Sequence, residues 1–143
     1  MDKQTLSRIT ASAPTAALQT LAEKVTANRR MEYVKGPEKT MILLTVREPV
    51  RNSNFYLGEA LAVHCIAELD GVRGAAVALG DDLGRAGAAA ALDAAHTGGF
   101  PEFAAIEVRL LELEELRKSA ESETAALVRG TQVKFHVLED KEA

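Results

Sequence analysis

The chain has 143 residues and a formal net charge of −4 at neutral pH, with 47% hydrophobic, 27% charged and 4% aromatic residues. This length predicts one domain, residues 1–143, whose core needs no disulfide or metal to hold it together. The acidic balance argues against binding to nucleic acid or to a membrane, and the scarcity of aromatic residues argues against a large ligand pocket.

The first two predicted elements are helices that form an N-terminal helical hairpin. Residues 2–12 place Leu6 and Ile9 at helical spacing, and Pro14 suits the first turn of a second helix. Apolar residues in that second helix recur in an i, i+3, i+4, i+7 stripe of Leu18, Leu21, Ala22 and Val25. The hairpin is predicted to end near residues 28–29.

Strand signals dominate the middle of the chain. They fall at residues 32–35, 41–47, 54–69 and 72–79. The dipeptide Gly36-Pro37 predicts a turn that closes the first strand, and Asp70-Gly71 predicts a tight hairpin between the last two. Consecutive strands of this kind predict an antiparallel sheet.

The C-terminal half begins with an alanine-rich helix that Asp82 is expected to cap and that runs to about residue 95. Its small residues leave two interpretations open: it packs flat on this chain's own sheet, or a partner contacts it. Residues 104–110 and 132–138 alternate like strands, and residues 114–128 predict an amphipathic helix. The inward residues of that helix are predicted to be Leu113, Leu116, Ala120 and Leu127. The predicted fold is therefore α+β, with the N-terminal hairpin, an antiparallel sheet of about five to six strands, and two further helices packed on it.

One carboxylate interrupts an apolar row in the strand at residues 54–69. Alternate residues place Phe55, Leu57, Leu61, Val63, Cys65, Ala67 and Leu69 on one face, and Glu59 lies among them. A buried carboxylate must be hydrogen-bonded, paired or raised in pKa, so Glu59 is either a structural or interface group or a catalytic one. Its features favour the structural or interface role. Gly58 before it predicts a bulge or the close approach of another group.

The neighbours His64 and Cys65 cannot act as a base and nucleophile pair, because adjacent residues of a strand point to opposite faces. Cys65 is predicted to be a small buried hydrophobic residue, and His64 is a candidate for an interface or a site. His64 and Glu68 lie about 13 Å apart along the strand, so no metal site is predicted. A single cysteine and the lack of a signal sequence or membrane span predict a cytoplasmic protein.

An ordered set of motifs runs through the chain at Phe55, Leu57, Gly58, Glu59, Cys65, Leu79, Gly80, Asp82 and Phe135. This set resembles the PhnG family, the G subunit of the bacterial carbon–phosphorus lyase system, and the likeness spans nearly the whole chain. Val63-His64 stands where the family usually has threonine-arginine, so the chain resembles a divergent member.

The resemblance implies a subunit of a large cytoplasmic assembly with the H, I and J subunits. The I subunit is the expected direct partner, and the L subunit is needed for activity. The assembly would form alpha-D-ribose 1-methylphosphonate 5-triphosphate from ATP and phosphonate with release of adenine, so ATP with Mg is its substrate.

The chain itself is then expected to be a non-catalytic subunit of a transferase, to bind no cofactor alone, and to self-associate when isolated. The matching positions would mark an interface. The alternative is a free-standing small enzyme or homo-oligomeric binding protein that uses Glu59 and His64.

Overall fold

A computed structural model describes residues 1–136 of the chain, and this part folds into four helices and a three-stranded antiparallel sheet. In chain order the elements are α1 (Lys3–Ser12), α2 (Thr15–Thr26), β1 (Met31–Arg47), β2 (Asn54–Leu69), β3 (Val72–Leu79), α3 (Leu83–Thr97) and α4 (Phe103–Arg129). The α+β class is confirmed, but the predicted five to six strands are not.

The N-terminal helical hairpin forms as the spacing of its apolar residues predicts. The carboxylate of Asp2 accepts a hydrogen bond from the backbone N–H of Thr5 at 2.7 Å, which caps α1. Pro14 occupies the capping position directly before α2. The residues that α2 buries are the predicted stripe of Leu18, Leu21, Ala22 and Val25.

The sheet has the order β1-β2-β3, so β2 is its central strand. Leu69 lies opposite Val72, which leaves Asp70 and Gly71 as a two-residue turn. Both turn residues have positive φ angles, 47° and 83°, as a hairpin turn that follows the twist of its strands requires. This predicted hairpin is confirmed.

The predicted turn at Gly36-Pro37 is wrong, because β1 is one continuous strand of 17 residues. The dipeptide instead lies at a register shift between the pairs Lys35–Ile66 and Glu38–His64. Proline is tolerated at a bulge in an edge strand, since the missing N–H costs little where the ladder is already interrupted. The predicted strands at residues 32–35 and 41–47 are thus two parts of β1.

The predicted strand at residues 104–110 is also wrong, because these residues form the first turns of α4. The alternating residues Ile106 and Leu110 also fit a helical stripe with Phe103 and Leu113, and the helix buries that stripe. Of the four residues predicted to face inward further along, only Leu113 is buried, while Leu116, Ala120 and Leu127 are exposed. The second half of α4 therefore extends away from the core.

The last predicted strand, residues 132–138, is not formed in its described part. Residues 132–136 have no regular secondary structure, and residues 137–138 lie outside the described residues.

Helix α3 packs on the sheet of its own chain, so the first of the two interpretations left open for it holds. Ala86 and Ala90 pack against Val63, Cys65 and Ala67. Asp82 caps the start of α3, as predicted, because its carboxylate accepts a hydrogen bond from the backbone N–H of Arg85 at 3.1 Å. The same carboxylate also accepts a hydrogen bond from the Thr15 hydroxyl. These bonds, the one from Thr15 foremost, lower the pKa of the Asp82 carboxyl.

The other side of α3 meets the N-terminal hairpin and the start of α4. A cluster of larger side chains fills this space, including Leu6, Ile9, Leu18, Leu92, Ile106 and Leu110. The core therefore surrounds α3, and in the sheet it reaches β3, Met31 of β1 and the half of β2 that pairs with β3.

Candidate functional site

The β1–β2 hairpin extends well beyond the core of the chain. The last residue pair between β2 and β3 is Ala62–Leu79, so residues 41–47 and 54–61 pair only with each other. We call these two segments the ribbon. A two-stranded hairpin is only marginally stable in water without another surface to pack on.

The ribbon is strongly apolar and exposed. Its exposed large side chains are Met41, Leu43, Val46, Phe55, Tyr56, Leu57 and Leu61, and Val50 at the hairpin tip is 88% exposed. Only two ribbon residues carry a charge, Arg47 and Glu59. An exposed apolar patch of this size and low charge is typical of a protein interaction site.

Apolar residues lie on both faces of the ribbon. Directly opposite residues of an antiparallel pair share a face. Met41 lies opposite Leu61, two residues before Val63, so this pair continues the row that α3 buries further along β2. We call this the core-side face. Ile42 lies opposite Ala60, and both belong to the other face, which we call the outer face.

A bulge interrupts the ribbon at Leu57 and Gly58. Leu44 pairs with Gly58 and Thr45 pairs with Tyr56, which leaves Leu57 without an opposite residue. Gly58 has a φ of 151°, and no other part of the described chain comes within 4 Å of where its Cβ would lie. Of the two predicted reasons for this glycine, the bulge is therefore the one that the fold shows.

Glu59 lies on the core-side face of the ribbon, but it is exposed. The prediction that this row is buried holds from Val63 to Leu69 and is wrong from Phe55 to Leu61. The predicted place of Phe55 beside Glu59 is also wrong, because the bulge puts Phe55 opposite Val46 on the outer face. Helix α3 covers only the first of these stretches, because β3 and α3 both end their contact with β2 near Ala62. Within residues 1–136, no hydrogen bond or ion pair reaches the Glu59 carboxylate.

His64 and Cys65 lie on opposite faces of β2, as predicted. The Cys65 side chain is buried in the core, and desolvation raises the pKa of its thiol to about 11. His64 is half-buried on the outer face, with Nε2 at 2.8 Å from Oε1 of Glu38. The Lys35 ammonium contacts the same oxygen at 3.0 Å, and its hydrogen bond is the main cause that lowers the pKa of Glu38.

The fold does not bring Glu59 and His64 together, because they belong to opposite faces of β2. No cluster of three or more His, Cys, Asp or Glu side chains that could hold a metal ion occurs among residues 1–136. A groove of about 600 Å³ lies between α2, β1 and α3, lined by residues that include Gln19, Glu23, Tyr33 and Gly87. Neither of the two candidates lines it.

The remaining predicted positions lie at four places. Phe55, Leu57 and Gly58 belong to the ribbon, Leu79 and Gly80 end β3 beside it, and Asp82 caps α3. Phe135 lies beyond α4 and is 93% exposed. Sequence reasoning did not single out the apolar run of Met41–Val46, although six consecutive residues without a charge were visible there.

Comparison with known families identifies the chain. A family model described as phosphonate metabolism protein PhnG matches residues 1–139. The chain belongs to the PhnG family. The match covers every helix and strand of the fold and confirms the resemblance drawn from the ribbon and its neighbours, so the chain is a phosphonate metabolism protein. No curated protein matches the chain.

Among the described residues, none of the helices combines the length and the apolar character needed to cross a membrane.

Proposed function

We propose that the chain is a non-catalytic subunit of the carbon–phosphorus lyase core complex and that the ribbon is its docking surface. In this role it supports the formation of alpha-D-ribose 1-methylphosphonate 5-triphosphate from ATP and phosphonate, with release of adenine. ATP, with Mg, is then a substrate of the assembled system and not a ligand of this chain alone. The I subunit is the direct partner, beside the H and J subunits, and the L subunit is needed for activity.

The observation that carries this proposal is the unpartnered apolar ribbon. The exposed side chains of the ribbon amount to on the order of 800 Å², about what each partner contributes to a standard interface. Exposing that much apolar surface is costly, so the ribbon gains its stability from a second protein. The same surface accounts for the expected self-association when the chain is made alone.

The positions of the family motif support this role. Phe55, Leu57, Gly58 and Glu59 all lie in the ribbon, so the motif coincides with the surface that the chain leaves uncovered. Glu59 then acts as a contact to the partner. The alternative enzyme that uses Glu59 together with His64 is disfavoured, because the two side chains point to opposite sides of the sheet.

A capture experiment tests the docking role. The chain is co-expressed with a tagged I subunit and with the H and J subunits, as wild type, as Leu57→Asp and as Leu116→Asp. Leu116→Asp is the matched control for Leu57→Asp, because Leu57 in the ribbon is 62% exposed and Leu116 on α4 is 63% exposed. Leu57→Asp is expected to reduce capture at least tenfold and Leu116→Asp to leave it unchanged.

Two outcomes would overturn the proposal. The first is a wild-type chain that does not bind the tagged assembly at micromolar concentration, and the second is equal capture of all three forms. The enzyme alternative has its own check, because it requires Glu59→Gln to lose activity in the reconstituted system.

A further inference from the structure

We propose that the ribbon is enclosed on both faces, because its partner holds it in a cleft with two apolar walls. The identity of the partner rests on the proposed function above. The two-sided enclosure is argued from the ribbon alone.

The sequence of β1 in the ribbon has the pattern of a strand buried on both sides. A strand with one face in water alternates apolar and polar residues, whereas a continuous apolar run is typical of a strand covered on both faces. Met41–Val46 reads Met-Ile-Leu-Leu-Thr-Val and shows no such alternation. On the core-side face of this segment Met41 and Leu43 are exposed, while on the outer face Ile42 and Leu44 are half-buried and Val46 is exposed.

The other half of β2 provides the contrast within the same sheet. Val63, Cys65 and Ala67 are buried under α3, while His64 and Glu68 on the outer face are polar and half-buried. The outer face of this part of the sheet is mixed, since it also carries Ile66 on β2 and the exposed Val77 and Leu79 on β3, but His64 and Glu68 interrupt its apolar residues. The outer face of the ribbon has no such polar residue.

The outer face of the ribbon carries no charge. It consists of Ile42, Leu44 and Val46 on β1, with Phe55 opposite Val46 and Ala60 opposite Ile42. The core-side face carries Met41, Leu43 and Leu61, with Glu59 opposite Leu43 and the charged Arg47 at the end of β1 opposite Asn54. The single carboxylate requires a donor in the wall that covers the core-side face, whereas the other wall needs only apolar groups.

The size and symmetry of the surface favour an enclosing partner over a second copy of the chain. Most of the exposed area belongs to the core-side face, and neither face alone reaches the roughly 800 Å² that each partner contributes to a standard interface, whereas both faces together do. Two ribbons related by a two-fold axis would stack through the same face of each. Such a dimer would leave the second apolar face in water.

Two neighbouring residues on β1 separate the faces experimentally. Leu43→Asp places a charge on the core-side face and Leu44→Asp places one on the outer face, while Val77→Asp serves as a control on the outer face of β3, where Val77 is 53% exposed. The affinity of each form for the complex of the H, I and J subunits is measured by biolayer interferometry. Both ribbon variants are expected to raise Kd at least tenfold, and the control to change it less than threefold.

The outcomes are distinct. If only one ribbon variant weakens binding, the two-sided enclosure is wrong and the docking role stands. If neither does, or if the wild-type chain does not bind, both proposals fail. If the isolated chain is a dimer, both ribbon variants convert it to monomers, and both still bind the H, I and J subunits, then a second copy of the chain covers the ribbon. The proposed enclosure by another subunit is then wrong.

A second measurement does not depend on charged variants that fold poorly. Leu43→Cys and Leu44→Cys are labelled with a maleimide before and after binding, while the buried Cys65 thiol stays unreactive. Protection of both positions by at least tenfold in the complex is expected. Protection of one position alone overturns the enclosure.

Discussion

Replacing Gly74 with alanine tests how closely α3 approaches the sheet. A Cβ at this position would lie 2.2 Å from the backbone N of Ala94 and 2.3 Å from the backbone O of Ala90. Ordinary contact begins near 3.4 Å, so α3 would have to withdraw by roughly 1 Å along the turn that faces β3. The clashing atoms are helix backbone and cannot rotate away, as a flexible side chain could.

The cost follows from how much of the core rests on α3. Its buried residues run from Ala86 to Ala95 and contact both the sheet and the helical layer, so a shift opens gaps on both sides. Overpacking a core typically costs about 1–3 kcal/mol, and a clash with rigid backbone belongs at the upper end. For a chain of this length, about 3 kcal/mol corresponds to a fall in Tm of roughly 10 °C.

Urea denaturation followed by circular dichroism measures this change directly. Gly36→Ala is the matched control, because a Cβ at Gly36 meets nothing within 4 Å. The control is expected to stay within about 0.5 kcal/mol of the wild type. Equal unfolding free energies for Gly74→Ala and Gly36→Ala would refute the close packing of α3 on β3.

Two other predictions concern groups in the core. The Glu114 side chain is 3% exposed and accepts hydrogen bonds from Arg8 and from Nε of Arg117, the latter at 2.9 Å. Glu114→Ala is expected to lower the free energy of unfolding by about 2 kcal/mol, which is less than the loss of a fully buried ion pair costs, because both arginines reach solvent. As a control at an exposed residue, Glu112→Ala is expected to lower it by under about 0.5 kcal/mol in the same urea titration. For Cys65, with its pKa raised to about 11 by burial, the native thiol is expected to resist a disulfide reagent at pH 8 and to react at once in urea. The unfolded thiol ionises near pH 9 and the folded one near 11, so the stability that comes from keeping the Cys65 thiol neutral is present below pH 9 and lost between pH 9 and 11. The unfolding free energy of Cys65→Ala should not show this loss. An equal fall in the unfolding free energy of both proteins over that pH range would contradict the prediction.

Local signals in the sequence were enough to predict much of the fold. The stripe of α2, the Asp82 cap of α3 and the Asp70-Gly71 hairpin each depend on residues within a few positions of one another. Such features form because neighbouring residues satisfy one another's backbone groups, so the rest of the chain has little influence on them. The family likewise follows from the order of motifs along the chain.

Local signals failed where two structures share one pattern. Ile106 and Leu110 fit both a strand and a helix, and only the packing of Phe103 and Leu113 into the core beside them decides for α4. Gly36-Pro37 fits both a turn and a bulge, and only the pairing of β1 with β2 on both sides decides for the bulge.

The face of β2 that carries Glu59 shows most clearly what local sequence signals cannot predict. Alternation along the strand established which side chains share a face, and that assignment is correct for Val63, Cys65 and Glu59. Whether a face is buried depends on what lies over it, and α3 reaches only as far as the pairing between β2 and β3 extends. The sequence by itself determined the two sides of β2 from Glu59 to Leu69. The tertiary structure decided that the bulge moves Phe55 to the other side, and that the ribbon is left open because α3 packs on β2 only from Val63 onward.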